Sequence, residues 1–348
     1  MKIGNMLFPE SASPDGDAAR IHETLAEAQL SERLGVDMLW LAEHHFDGNC
    51  AYVDPITFAS NLLGRTSRIG VGFAVLQTSL YHPVRLAEQL ALLDILAQGR
   101  LTIGIGRGSN GNIYEYQGYD IDPNEAEARH QEILAILEQA WTSEGALRFD
   151  GNFWKVNAPA FRPRPASHGK PAFIKPAATE ATLTTLALRG EPLLLGPQSF
   201  DETAHRVARY RALLAETGYG EDAIRDRLSR CWVWRNVYVA QTEAEARRIG
   251  GEAMRQMVEN RAAMRRQTYA AQGLPPHAKD IAPAGAVPGT SKGLLCGEVG
   301  QIAAEFVKLR DLGLGGVITG FRSGPLAWEA AAGSLTLFMQ DVAPLVRQ

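Results

Sequence analysis

Eight times along this chain a short apolar run is followed by a longer segment with helical spacing, and this alternation limits the fold more than any other feature. A strand that returns through a helix to its neighbour builds a parallel sheet, and eight such units are the number that closes a barrel. The runs expected as strands are Lys2 to Phe8, Met38 to Leu41, Ile69 to Leu76, Leu101 to Ile105, Ala172 to Ile174, Leu193 to Leu195, Cys231 to Val239 and Gly316 to Thr319. Between them apolar residues keep to one helical face, as Ile21, Leu25, Ala28 and Leu34 do in a segment that Gly35 closes. The helix expected from Pro83 opens on a residue whose missing N–H costs nothing in a first turn. The expected fold class is therefore α/β, a (β/α)8 TIM barrel with insertions, with residues 1–348 forming a single domain.

Two segments break the rhythm. Phe149 to Pro165 carries aromatics and prolines without a helical period and reads as a hairpin insertion. Gly273 to Gly297 holds Pro275, Pro276, Pro283 and Pro288, and a loop of that length points to a mobile active-site lid. The formal net charge of −4 gives no electrostatic reason to expect a nucleic acid or a membrane surface as partner. Cys50, Cys231 and Cys296 are scattered, which argues against a disulfide framework or a zinc site and fits a reducing cytoplasm. No run approaches the ~20 apolar residues of a membrane span, and the first residues do not read as a secretory signal.

In a barrel of this kind the chemistry sits at the C-terminal ends of the strands. There the chain places Glu43-His44-His45-Phe46 after the second strand, and Gln77, Thr78 and Ser79 before Tyr81-His82-Pro83 after the third. Gly106-Arg107-Gly108-Ser109-Asn110-Gly111 follows the fourth, and Lys175-Pro176-Ala177-Ala178-Thr179 the fifth. The Gly106 to Gly111 stretch also matches the dinucleotide-binding GxGxxG pattern. That reading needs a helix starting inside the motif, whereas the continuation from Asn112 to Gly118 lacks a convincing helical stripe and belongs to the fourth unit rather than the first.

Three segments in order, WLAEHHF (Trp40 to Phe46), YHPVRLAEQLALLD (Tyr81 to Asp94) and GRLTIGIGRG (Gly99 to Gly108), resemble the bacterial luciferase and flavin-dependent monooxygenase family. The opening MKIGNMLF and the late GVITGF strand extend the resemblance over essentially the whole chain. It implies that reduced FMN and dioxygen, acting through a peroxyflavin, oxidise a small organic substrate. It also implies FMN supplied by a separate NAD(P)H:flavin reductase, and a homodimer.

Residue by residue, Arg107 matches the family's phosphate-binding arginine, with the flanking Gly106 and Gly108 letting backbone approach the ligand. Thr179 and Thr182 match paired hydroxyls at a helix start, where free N–H groups suit an anion; Thr179 reads equally as a simple N-cap. Arg129 fits a second phosphate-side arginine or a solvated helix arginine. His44 aligns with a general acid/base beside the flavin, while His45 reads as structural and His82 as a capping residue. A non-proline cis peptide of the family falls at Ala74-Val75. Luciferase α subunits carry a reactive cysteine where this chain has Gly106, so light emission is not carried over. Hydride transfer with a deazaflavin on the same barrel and non-catalytic flavin binding stay open as alternatives.

Overall fold

The computed structural model describes residues 1–109, 111–166, 173–276 and 292–347. Eight parallel strands close on themselves: β1 (Lys2–Leu7), β2 (Met38–Leu41), β3 (Gly70–Phe73), β4 (Leu101–Gly106), β5 (Phe173–Pro176), β6 (Leu193–Leu195), β7 (Trp232–Val239) and β8 (Gly316–Gly320). Each pairs with the next in sequence, and β8 returns to β1 with Gly316 opposite Lys2 and Thr319 opposite Asn5. The result is the barrel that the eight-fold alternation predicts. Its closure, and the helix that begins only at Ile113, exclude the dinucleotide-fold reading of the glycine-rich stretch.

Because helices cover the outside and side chains fill the inside, the strands are buried on both faces and read as continuous apolar runs. Along β1, Ile3 and Leu7 face the helical layer while Met6 faces the barrel interior. The interior is filled by Met6, Trp40, Ile174, Leu194, Trp232 and Ile318. Trp40 and Trp232 meet edge-on, with ring centroids 5.0 Å apart. Glycines make room for them: a Cβ on Gly4 would lie 2.5 Å from Trp40, and one on Gly72 2.9 Å from the same ring. Close packing of this kind makes truncating a buried tryptophan expensive, about 3–5 kcal/mol. The interior is therefore a packed plug at this level.

The segment expected as one strand from Ile69 divides at a cis Ala74-Val75 peptide, after which Leu76–Gln77 pairs with the end of β4. The hairpin is Leu147–Asp150 against Lys155–Ala158, so it starts two residues before the expected segment and stops short of its proline-rich tail. The helix Glu221–Leu228 was not foreseen, and the long helix after β7 is interrupted by a π turn at Arg247–Gly251. Of the expected lid, residues 277–291 lie outside the described residues; its end forms a strand, Leu294–Gly297, that pairs with β7 outside the barrel ring.

Candidate active site

A cavity of about 660 Å³ opens at the C-terminal ends of the strands. Phe8, Ala42, Ala74, Val75, Gly106 and Pro176, each at or just beyond a strand end, line it above the tryptophan plug together with Trp234 from within β7. A Cβ on Gly106 would sit 3.1 Å from Val75 Cγ2 and 3.5 Å from Pro176 Cγ, so glycine there keeps a flat, open ledge between β3 and β5. Gly108 has φ +97, and a Cβ on it would lie 2.8 Å from Gln77 Oε1 and closer still to Tyr116. Only glycine fits, and its backbone stays bare beside the ligand space.

One part of the lining is rich in cationic groups and free helix-terminal amides. Arg107, immediately after β4, lines the cavity with its side chain 38% exposed, its Nε 3.4 Å from Glu127. The N-terminus of helix Glu180–Arg189, presented by the Ala177-Ala178 turn after the neighbouring strand β5, lines the same cavity. Thr179 is its N-cap: its hydroxyl accepts from the Thr182 backbone N–H at 3.2 Å and lies 2.9 Å from the Thr182 hydroxyl. Capping thus satisfies one of the orphan amides of the first turn, and the positive end of the helix dipole faces the same space as Arg107. Lys175 adds a further cation, 2.7 Å from Glu191.

Arg129 does not join them. It is absent from the cavity wall: its guanidinium is 3.0 Å from Glu125 and lies over the hairpin aromatics, 4.7 Å from the Phe153 ring centre and 5.8 Å from that of Trp154. The same helix instead sends Glu127, His130 and Gln131 to the cavity. His130 shares a short hydrogen bond with Thr78, whose hydroxyl also reaches the Gly106 carbonyl. Burial pushes the His130 pKa down to about 4; Glu127 pulls upward, and Lys175 and Arg107 push further down. At neutral pH His130 is an uncharged polar group beside the cations. The sequence gives no sign of this role, since a histidine four residues beyond a helix start looks like any other helix residue.

On the opposite side stands His44, 30% exposed, its ring stacked on Phe8 with centroids 5.4 Å apart. The Arg261 guanidinium covers Phe8 at 4.6 Å. His44 Nδ1 is 3.1 Å from Glu115 Oε1 and 3.2 Å from Asn112 Nδ2. Glu115 belongs to helix Ile113–Gly118, the short element that the sequence reading left without structure. It is fully buried, accepts the His45 backbone N–H at 3.0 Å, and takes a third bond from Asn112 Nδ2 at 3.1 Å.

His45 points away from the cavity, with Nε2 3.1 Å from Glu43 and Nδ1 3.2 Å from the Tyr119 hydroxyl. Glu43 also accepts from the Tyr81 hydroxyl at 2.8 Å and the Gln77 backbone N–H at 2.6 Å, so it organises the loops after β2 and β3. His82 makes no side-chain cap bond; it packs edge-on against Trp154 at 5.0 Å.

Comparison with known proteins agrees with this geometry. The family model described as luciferase-like monooxygenase matches residues 1–315. A flavin-dependent trigonelline monooxygenase, oxygenase component, from Acinetobacter baylyi is 26% identical over 49% of this chain and 47% of its own length. The match thus spans about half the length of that curated relative. Among solved structures, a monooxygenase from Streptomyces bottropensis superposes with TM-score 0.79 at 24% identity, covering 99% of each chain. The oxygenating constituent of 3,6-diketocamphane monooxygenase from Pseudomonas putida, in complex with FMN, gives 0.77 at 18% identity over 99% of this chain and 98% of that one. An F420-dependent secondary alcohol dehydrogenase gives 0.74 at 16% identity, covering 100% and 99%.

Proposed function

The chain belongs to the luciferase-like monooxygenase family, and from that premise we propose that it binds reduced FMN and uses dioxygen to oxidise a small organic substrate. The observation that carries this reading is the convergence of Arg107 and the Thr179–Thr182 helix tip on one wall of a cavity whose other side holds His44. A forked guanidinium and free helix-terminal amides are the donor set that a phosphate monoester needs. The glycine ledge at Gly106, bounded by Val75 and Pro176, fits a flat ring system.

Arg107, Thr179 and Thr182 would hold the phosphate, with Gly108 offering bare backbone; the Ala74-Val75 peptide and Gly106 would lie against the ring. Bound reduced flavin supplies the activation of dioxygen. The protein's own part is orientation, exclusion of water by Phe8, Val75 and Trp234, and movement of a proton at His44. Arg129, held by Glu125 and the hairpin, supports that wall through the helix it shares with His130 rather than by direct contact. A separate NAD(P)H:flavin reductase delivers the reduced cofactor, and the enzyme works in the cytoplasm as a homodimer. Exposed Leu92, Ile95 and Leu96 on helix Pro83–Ala97 support association.

The test supplies chemically reduced FMN, candidate substrates and 18O-labelled dioxygen to the protein, and follows oxygen uptake and label in the product. Label in the product supports the proposal. In a parallel assay with oxidised F420, reduction of F420 coupled to oxidation of an alcohol substrate, without oxygen uptake, would instead establish deazaflavin hydride transfer, the reading that the F420-dependent neighbour favours. Failure to bind either cofactor removes both.

A further inference from the structure

Among the described residues Glu115 is the carboxylate that reaches a nitrogen of His44, and every hydrogen bond around it fixes where its oxygens point. Oε1 accepts from the His45 backbone N–H at 3.0 Å while lying 3.1 Å from His44 Nδ1. Oε2 accepts from Asn112 Nδ2 at 3.1 Å. Its short helix is itself tied down from outside. Tyr269 Oη donates to Gly111 O at 3.0 Å, Gln272 Nε2 to Tyr114 O at 3.1 Å, and Gln117 Nε2 to Gln272 O at 3.3 Å. Phe8 stacks on the His44 ring and restricts its rotation.

From this arrangement we infer that Glu115 is a positioning residue for His44: it accepts the Nδ1 proton and leaves Nε2 as the nitrogen that exchanges protons with a ligand in the cavity, while the Asn112 amide, 3.2 Å from Nδ1, donates to Glu115 Oε2 rather than to the ring. The inference rests on the proposed role of His44. The imidazolium gives up its Nε2 proton to the ligand and is left as the neutral Nδ1–H tautomer. Glu115 stays a carboxylate throughout, and Nε2 is reprotonated from solvent.

The charges facing the ring are Glu115, Asp47 and Arg261. Burial opposes charge on His44, and so does Arg261. The hydrogen bond and charge of Glu115, with help from Asp47, outweigh them and raise the His44 pKa above its ordinary value. Burial likewise works against an ionised Glu115, yet its bonds to His44, the His45 amide and Asn112 lower its pKa. The two shifts are opposite in sign, as expected of a pair that shares a proton unequally, with the carboxylate as the weaker base.

The experiment is ring-15N NMR of histidine-labelled protein over pH, with His44 identified by the signals lost in His44→Gln. In the native chain His44 should titrate above the usual histidine range and, once neutral, carry its proton on Nδ1. Glu115→Gln keeps the shape and removes the charge; it should lower the His44 pKa by about 1 unit or more and mix the two neutral tautomers. Should Glu115→Gln not fold, Glu115→Asp, whose shorter arm cannot hold both His44 and the His45 amide, is judged by the same criterion. An unchanged His44 titration and tautomer in a folded Glu115 variant overturns the inference. The measurement needs no turnover: a shifted His44 together with unimpaired oxidation by His44→Gln would leave the positioning intact and sink the acid/base role instead.

Discussion

Replacing Arg107 by alanine probes the anion-binding wall most directly. Arg107 is 38% exposed and shares its charge with Glu127 at 3.4 Å, so it is neither fully desolvated nor fully available to a ligand. Hydrogen bonds to charged groups contribute about 1.5–3 kcal/mol each, and partial exposure places this one toward the lower end. Removing the side chain also leaves Glu127 on the cavity wall without its counter-charge, which adds repulsion toward a phosphate dianion. Together these effects predict a loss of about 2–3 kcal/mol, or roughly 30- to 150-fold in Kd. Fluorescence titration with FMN and with riboflavin, which lacks the phosphate, separates the wall from the ring pocket. Native protein should prefer FMN, and Arg107→Ala should erase most of that preference while leaving riboflavin binding unchanged. Glu127→Gln should move FMN affinity the other way, and added salt should shrink both effects. Equal weakening of FMN and riboflavin by Arg107→Ala would refute the assignment, because the arginine would then be supporting the fold or the ring rather than the anion.

Two glycines of β4 should respond oppositely to the same methyl group. A Cβ on Gly104 collides with the carbonyl of Phe73, its carbon 2.9 Å away, so Gly104→Ala should cost about 3 kcal/mol or more by urea denaturation. On Gly106 it meets only side chains at 3.1 Å and 3.5 Å, so Gly106→Ala should lose less than about 1 kcal/mol while altering which substrates are accepted. His130 ties stability to pH. Its folded pKa of about 4 lies below the unfolded value near 6.5, so the unfolded chain takes up a proton that the folded chain refuses. Its contribution is fully present above pH 6.5 and is lost as pH falls toward 4, with a slope approaching 1.4 kcal/mol per unit. His130→Gln should flatten that slope in denaturation curves recorded between pH 7 and 4.

The fold was legible because its signal is repeated. Each of the eight strands is short, apolar and followed by a helix, so a misplaced end, such as Ile69 to Leu76 read as one strand, does not disturb the count. The short elements were not: helix Ile113–Gly118 has too few residues to display a stripe, and its identity is fixed by Tyr114 reaching Asp47 at 2.6 Å and by Tyr269 and Gln272 from a distant helix. The site divides along the same line. Arg107, Thr179 and His44 lie just beyond strand ends, where position alone gives a polar residue weight, and Thr182 sits in the first turn of the helix that Thr179 caps; all four reach the cavity. Arg129 lies within a helix, where one step of rotation separates the wall from the outside, and the sequence does not show which way it turns. Glu115 meets His44 across 71 residues of chain, a contact that only the closed barrel creates.

The split of the cavity between two groups of strands bears on how such an enzyme can change. The residues proposed to hold a phosphate come from the loops after β4 and β5, whereas Phe8, Ala42 and Trp234 come from β1, β2 and β7 on the other arc of the ring. On the proposed reading, side chains of the second arc that do not hold His44 can be enlarged or trimmed while the phosphate-side residues stay as they are. Altered chemistry is then a matter of re-cutting one half of the rim, and a library confined to Ala42 and Trp234 should yield new selectivities while FMN affinity is kept.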